Sequence, residues 1–205
     1  MTIPMPSNFT RRRLLGAGLA TTTALALPLP AMALNDATAR ALIDKVVAEI
    51  NRVIASGKSL GGMIQDFESI FARYADVNII AQSTLGADSR RASAAQMRAF
   101  TDAFRGYIAR KYGKQFRQFV GGRIEVQGVR QVKSWHEVIS TVYLRGEAPF
   151  EVRFLVSDRS GRDLFFDMLI EGVSLRLSER TEIGAMLDAR RGNIDALIQD
   201  LRSAG

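Results

Sequence analysis

The sequence predicts an α+β domain in which N-terminal and C-terminal helices pack on an antiparallel sheet of four strands, or slightly more. Apolar residues recur at helical spacing from about residue 38 to residue 120. After Gly121 and Gly122 the spacing changes to strand alternation, in segments joined by turns too short for a parallel crossover. Helical spacing then returns. Helices that flank the sheet in sequence have to cover one of its faces, and we expect them to enclose an apolar pocket.

Residues 1–33 are predicted to be an export signal. Their only charges are consecutive arginines at 11–13, which precede a mildly apolar run and the small-residue sequence Ala-Met-Ala. The arginines resemble a twin-arginine signal, and the apolar run is shorter than the roughly 20 residues that span a bilayer. We therefore expect cleavage near Ala33 and Leu34, a periplasmic location, and a mature domain at 34–205.

Charge and residue usage exclude several function classes. Loss of the arginines at 11–13 lowers the formal net charge from +7 to +4, and no dense basic cluster remains, so nucleic acid is not expected as a partner. Cysteine is absent, which excludes disulfides, thiol nucleophiles and thiolate metal sites. The single histidine, His136, lies in no catalytic or zinc motif and is interpreted as a strand-edge residue. We expect no catalytic residue, no metal and no cofactor, and therefore no enzyme.

Four helices are predicted before the sheet. They cover residues 38–55, 59–74, 77–85 and 94–120, and the last and longest is expected to loosen at Gly113. In each, apolar residues fall on one side at spacings of three and four. The predicted boundaries coincide with residues that commonly cap helices, Gly57, Ser59 and Gly86.

Four strands are predicted at residues 124–132, 135–144, 150–157 and 162–171. The last two alternate between an apolar and a polar side, as expected of half-buried strands. Asp167 belongs to the polar side of the fourth strand, which is predicted to be solvated. The predicted apolar sides are Phe150, Val152, Phe154 and Val156 in the third strand, and Leu164, Phe166, Met168 and Ile170 in the fourth.

Two helices are predicted after the sheet, at residues 178–190 and 193–202, separated by Gly192 and Asn193. Ser174, between the last strand and the first of these helices, is interpreted as the N-cap of a short turn.

Aromatic and methionine side chains are concentrated on elements that would face one interior. Plain core packing also explains such a concentration, and the faces of the predicted helices and strands do not separate core from pocket. The residues predicted to line an apolar pocket are Phe67, Phe71, Tyr74, Phe100, Phe104, Tyr107, Tyr143, Phe154, Phe166 and Met168.

The last third of the sequence resembles a known family. The matching strings are Val142-Tyr143-Leu144, the block from Phe166 to Leu175 that reads FDMLIEGVSL, Arg180, and the helix that begins GNIDALI at Gly192. They resemble the MlaC family, also known for toluene tolerance, of periplasmic phospholipid-binding proteins. This chain has Leu164-Phe165-Phe166 where the family commonly has W-K-V, so headgroup contacts from that lysine are not carried over.

The resemblance implies a carrier without catalytic chemistry. A deep apolar pocket would take the acyl chains of a phospholipid, its cargo, and leave the headgroup at the mouth. The protein would shuttle lipid between the outer and inner membranes as the soluble component of an ABC transport system that maintains outer-membrane lipid asymmetry. The implied partners are an inner-membrane ABC transporter with an MCE-domain ring and an outer-membrane lipoprotein–porin complex. Candidate docking residues are Arg123, Arg130, Lys133, Arg190 and Arg191.

Three alternatives remain open from the sequence. A branch of the same family linked to hopanoid biosynthesis has the same pattern, so a hopanoid could be the cargo. An enzyme on a similar cone-shaped fold could place Asp167 as an acid beside Tyr143 in an apolar pocket. An envelope adaptor could use every apolar residue as core and bind no ligand.

Overall fold

The computed structural model describes residues 34–205, and the predicted signal peptide at 1–33 lies outside the described residues. Helices α1 (Asp36–Ile54), α2 (Leu60–Tyr74), α3 (Val77–Leu85) and α4 (Ala94–Gly113) precede a sheet of strands β1 (Arg123–Val132), β2 (Trp135–Tyr143), β3 (Phe150–Ser157), β4 (Leu164–Ile170) and β5 (Val173–Ser174), and α5 (Leu175–Ala189) and α6 (Ile194–Ser203) follow it. Each strand pairs antiparallel with the next, in the order β1-β2-β3-β4-β5. The predicted α+β class is confirmed.

Side-chain caps explain where most of the helices begin. Asn35 and Thr38 form a capping box at α1, and Ser93 and Gln96 form another at α4. Single side chains accept from a backbone N–H in the first turn of the other helices: Ser59 at α2, Asp76 at α3, Ser174 at α5 and Asn193 at α6. These interactions satisfy donors that have no partner inside a helix.

Two helix boundaries differ from the prediction by three residues or more. Helix α4 ends at Gly113, not at residue 120, and the chain continues as a 3₁₀ turn over Lys114–Arg117. A Cβ on Gly113 would lie 2.8 Å from Cγ1 of Ile64 in α2, so the two helices meet closely there. Helix α5 begins at Leu175, three residues before the predicted start, because Ser174 caps α5 itself instead of a separate turn.

The sheet directs alternate side chains of β2, β3 and β4 toward the helices. Val138 in β2, Phe154 in β3 and Met168 in β4 are directly opposite one another across the sheet, and Val152 is opposite Ile170. Residues paired in this way point to the same face. Helices α1, α3 and α5 contact this sheet, so the face with Phe154 and Met168 is the helix-covered face.

A β-bulge in β4 changes which aromatic residue faces the helices. Val156 is paired with Phe165 and Leu155 with Asp167, so Phe166 is an extra residue on β4. Phe165 therefore shares the helix-covered face and is buried, whereas the unbroken alternation predicted from the sequence assigned that face to Phe166. The bulge corrects the predicted face of β4 at this position.

His136, predicted at a strand edge, lies at the start of β2. Its ring is buried, and Nε2 lies 3.2 Å from Oδ1 of Asp36 at the start of α1. The histidine thus connects the sheet to the first helix.

Candidate functional site

An apolar cavity of about 270 Å³ lies between the helices and the helix-covered face of the sheet. Helices α1 to α4, strands β1 to β4 and the first turn of α5 all contribute side chains to its wall. Most of these side chains are aliphatic or aromatic, among them Val46, Ile50, Ile70, Ile80, Val152 and Phe165. A concave apolar cavity with few polar groups has the general character of a small-molecule binding site.

Four of the ten residues predicted to line a pocket lie along this cavity: Phe67, Phe71, Phe154 and Met168. The three phenylalanine rings among them form a continuous series through Phe165. The centroids of Phe67 and Phe71 are 6.2 Å apart, those of Phe71 and Phe165 are 6.3 Å apart, and those of Phe154 and Phe165 are 5.6 Å apart. Aromatic side chains from α2, β3 and β4 therefore form one wall.

Four predicted residues on helices lie outside the cavity wall. Phe100, Phe104 and Tyr107 of α4 are buried in the core and do not line the cavity. The hydroxyl of Tyr74 donates a hydrogen bond of 2.7 Å to Glu49, so its ring is held between α1 and α2. Helical spacing correctly predicted that these rings lie on the apolar sides of their helices. The apolar side of a helix can face the core or the cavity, and spacing does not distinguish the two.

Two predicted residues lie on the opposite face of the sheet. Tyr143 alternates with the helix-facing Val142, and the guanidinium of Arg123 lies 4.1 Å from the centroid of its ring. Phe166 contacts the edge of Trp135, with centroids 6.2 Å apart. Neither side chain lines the cavity, in Tyr143 because of strand alternation and in Phe166 because of the bulge.

Several lining residues were missing from the predicted set. Phe150 and Ile170 line the cavity and share strand faces with Phe154 and Met168, so the alternation already contained them. Tyr112 follows Ile108 by four residues on α4, and both line the cavity. The small aliphatic residues of α1 carried no distinguishing signal, because the same residues also form ordinary core.

Asp167 is the buried acid of the cavity wall. It was predicted on a solvated face, but only 4% of its surface is exposed. Its carboxylate accepts hydrogen bonds from the backbone N–H groups of Met168 at 2.8 Å and Arg176 at 3.0 Å, and from the hydroxyl of Ser174 at 2.6 Å. Nε of Arg176 lies 3.5 Å from the same group. The prediction of solvation was wrong because Asp167 joins β4 to the start of α5.

The acid and the tyrosine of the enzyme alternative do not come together. Asp167 lines the cavity, whereas Tyr143 points away from it on the other face of the sheet. Among residues 34–205, no group of three or more histidine or acidic side chains could hold a metal ion.

A second polar cluster joins α4 to α5 beside the cavity. Glu179 is fully buried and accepts hydrogen bonds from Lys111 and Tyr112, while Glu182 accepts from Lys111 and Tyr107. Burial, followed by the hydrogen bonds to the glutamates, raises the pKa of both tyrosines well above the ordinary value. The hydrogen bonds from Lys111 and Tyr107 lower the pKa of Glu182. The cluster thus keeps neutral phenols as donors to two glutamates.

The cavity opens at one end of the sheet. Its exposed lining residues are Gln115 and Gln118, after α4, and Glu147, in the turn between β2 and β3. Half-buried apolar residues, Phe119 and Phe150, lie next to them along the cavity wall. A ligand can therefore place a polar group here and an apolar group deeper inside.

Three of the five basic residues predicted as docking contacts have acidic partners within the chain: Arg123 with Glu125, Arg130 with Glu137, and Arg190 with Asp200. Their docking role, with that of Lys133 and Arg191, stays a prediction. None of the helices in residues 34–205 has both the length and the apolar character of a membrane span.

Comparison with known proteins gives a family and a fold. The sequence profile described as MlaC protein matches residues 40–203. No curated protein matches. A phospholipid-binding protein from Ralstonia solanacearum, solved in complex with a phospholipid, has a TM-score of 0.68 to this chain at 20% sequence identity, over 80% of this chain and 94% of that one. At this identity the likeness shows the fold alone. The profile spans most of the sequence and confirms the family that the resemblance at Val142–Leu201 predicted. The chain therefore belongs to the MlaC family.

Proposed function

We propose that this protein is a lipid carrier that holds the acyl chains of a phospholipid in its apolar cavity and presents the headgroup at the open end. The observation that carries the proposal is the cavity itself, with an aromatic wall of Phe67, Phe71, Phe154 and Phe165 and a polar opening. Membership of the MlaC family supports phospholipid as the ligand, and the related Ralstonia solanacearum protein was solved with a phospholipid bound.

The physical need for a carrier follows from the hydrophobic effect. A lipid with two chains and about 30 methylenes exposes apolar surface worth on the order of 24 kcal/mol in water, at ~0.8 kcal/mol per methylene. Free diffusion between two membranes is negligible against such a cost. A protein cavity has to replace the bilayer during the crossing, and no covalent bond is made or broken.

The cavity has to widen to take a whole phospholipid. Its volume of about 270 Å³ is at the lower limit of pockets for ordinary small ligands, roughly 300–1,000 Å³, and a two-chain lipid is larger than most of these. The half-buried side chains Phe67 and Ile170 line the cavity and have solvent on one side, so they can move outward more easily than the buried wall. We expect loading to displace these residues.

We place the carrier in the periplasm, as the soluble component of an ABC transport system that moves phospholipid between the two membranes of a Gram-negative-type envelope. The expected partners are an inner-membrane transporter with an MCE-domain ring and an outer-membrane lipoprotein–porin complex. Family membership and the export signal predicted at 1–33 support this setting.

The first test is the identity of the bound ligand. The protein is purified from its native host without detergent and extracted with organic solvent, and the extract is analysed by mass spectrometry against the protein concentration. We expect about one phospholipid per protein. A hopanoid in the extract would change the assigned cargo, and an empty extract from folded protein would contradict the carrier proposal.

A matched pair of variants in β4 tests the cavity as the binding site. Met168→Asp places a charge on the cavity wall, whereas Phe166→Asp places one two residues away on the opposite face of the sheet. We expect the first variant to lose co-purifying lipid and the second to retain it. Ile170→Trp, which fills the cavity without adding a charge, should also lose lipid. Retention of lipid by folded Met168→Asp and Ile170→Trp proteins would place the ligand elsewhere.

A further inference from the structure

We infer that the open end of the cavity is a docking surface for an anionic lipid bilayer. This inference rests on the proposed function, because a lipid carrier has to exchange its lipid with a membrane or a membrane complex.

Two chain segments form the rim of the opening, defined here as residues 114–121 and 144–149. Both contribute exposed side chains to the cavity, Gln115 and Gln118 from the first and Glu147 from the second. The segments are in contact, since a Cβ on Gly121 would lie 3.4 Å from Nη2 of Arg145. The rim is therefore one continuous surface around the opening.

The rim carries cations that have no acidic partner. Arg117 and Arg145 are exposed, and neither forms an ion pair with any residue of the described chain. Glu147 is the acidic residue of the rim. Free guanidinium groups at a surface are suited to the phosphates of anionic lipids, to which each basic side chain contributes separately.

Another cation lies next to the rim, at the end of α1. The side chain of Asn51 donates to the carbonyl of Ile124 and accepts from its N–H, both at 3.0 Å, so this helix end lies beside the first residues of β1. Arg52 follows Asn51, is exposed, and has no ion-pair partner in the described chain. Ile124 itself lines the cavity, so this end of α1 lies beside the cavity wall.

Apolar exposure coincides with this charge. Val120 on the rim is 51% exposed, and it is one of the few large apolar side chains in residues 34–205 with such exposure. Phe119 and Leu144, which line the cavity, are half-buried beside it. Cations that meet phosphates around an apolar side chain that enters the interface are typical of peripheral membrane binding. When the open end of the cavity lies on a bilayer, an acyl chain can pass from the cavity into the hydrocarbon of the bilayer without contact with water.

Co-sedimentation with lipid vesicles tests the surface. The purified protein is mixed at low ionic strength with vesicles of phosphatidylcholine alone, or of equal parts of phosphatidylcholine and phosphatidylglycerol. We expect binding to the anionic vesicles only, and weaker binding as salt shortens the range of the charges. The double variant Arg117→Gln/Arg145→Gln should bind roughly fivefold more weakly for each arginine removed.

The control removes the same charge far from the rim. In Arg98→Gln/Arg159→Gln, Arg98 lies 15 residues before Gly113 on α4, about 22 Å away at ~1.5 Å per residue, and Arg159 lies in the turn between β3 and β4 at the other end of the sheet. Both are exposed and without an ion-pair partner in the described part. We expect this variant to bind anionic vesicles like the native protein.

Three results would overturn the inference: no vesicle binding by the native protein, equal loss in rim and control variants, or unchanged binding by the rim variant. The first would favour an acidic protein surface as the partner of the rim. Lipid extraction keeps this test separate from the proposed function. The rim variant should still contain phospholipid, and an empty native extract would contradict the carrier while leaving vesicle binding measurable.

Discussion

The carboxylate of Asp167 connects three parts of the cavity wall. It holds the backbone of β4, the cap residue Ser174 and the first turn of α5, and it lies against the guanidinium of Arg176. A buried acid with this many donors is stable only while its partners stay in place. At the scale of single residues, the cavity therefore depends on a polar group as well as on its apolar wall.

Asp167→Ala should strongly destabilise the fold. The substitution leaves Arg176 without its nearby carboxylate and removes a hydrogen-bond acceptor from two N–H groups, which predicts a loss of about 3 kcal/mol in the free energy of unfolding. Urea denaturation measures this loss in the free energy of unfolding. Asp158→Asn, at an exposed turn residue, is the control and should change stability by less than about 0.5 kcal/mol. Equal effects of the two substitutions would contradict the role given to Asp167.

The lowered pKa of Glu182 predicts a stability difference that depends on pH. A carboxyl group whose pKa is lowered by folding stabilises the protein above its ordinary pKa, 4.5, and loses this contribution as pH falls through the lower folded value. Glu182→Gln should therefore be less stable than the native protein at pH 7, with a difference that shrinks on acidification below pH 4.5. Urea denaturation across this range measures it, and a difference independent of pH would contradict the prediction.

Single residues also show what sequence could and could not predict about the site. Alternation placed Phe154 and Met168 on the cavity side correctly, because β3 and the end of β4 are regular. The same rule misplaced Phe166, because the bulge adds a residue to β4 and no local feature of the sequence marks it. The sequence of a strand alone does not distinguish a buried acid from a solvated one, because the difference depends on the helix that covers it.

At the scale of elements, the close crossing of α2 and α4 shapes one side of the cavity. Gly113 allows it, because a side chain there would meet Cγ1 of Ile64 at 2.8 Å and its Cα at 3.2 Å. Helix periodicity predicted both helices from their apolar stripes, since such stripes reflect local spacing. Helix α4 ends at Gly113, where the sequence predicted a loosening, but the close contact with Ile64 could not be predicted because it depends on a second helix.

Gly113→Ala and Gly184→Ala should have opposite effects on stability. The first forces a methyl group against Ile64 and should cost about 1–3 kcal/mol. The second adds a methyl group within α5 where no atom lies within 4 Å, and should gain roughly 0.5–1 kcal/mol, as expected for alanine over glycine in a helix. Thermal and urea denaturation of the two variants measure the difference. Stabilisation by both would mean that α2 and α4 can separate without loss.

At the scale of the whole molecule, the cavity is formed by elements from both halves of the chain. Helices α1 to α4 supply one wall, the sheet supplies another, and the first turn of α5 closes the side near Asp167. The order of these elements could be predicted from changes in apolar spacing, because each change is local. The location of the cavity within the core could not, because it depends on where packing between the layers is incomplete.

Lipid binding to this cavity should stabilise the molecule against heat. A ligand bound only by the folded state at about 100 times its dissociation constant contributes ~2.7 kcal/mol, which predicts a Tm roughly 5–10 °C above that of lipid-free protein. Scanning calorimetry of native and delipidated protein, before and after addition of phospholipid, measures the shift. The cavity-filling variant Ile170→Trp should show no such shift, and an equal response of both proteins would place lipid binding outside the cavity.

The meander topology of the sheet has a consequence for the order of folding. Every strand pairs with its neighbour in sequence, so the sheet can form hairpin by hairpin from nearby segments. The contacts of α1 with β1 and of α4 with α6 join segments about 80 to 100 residues apart, and they have to form across long loops. We therefore expect the helices to dock on a preformed sheet late in folding, so that the nascent chain has no enclosed site for lipid until the first turn of α5 has been synthesised.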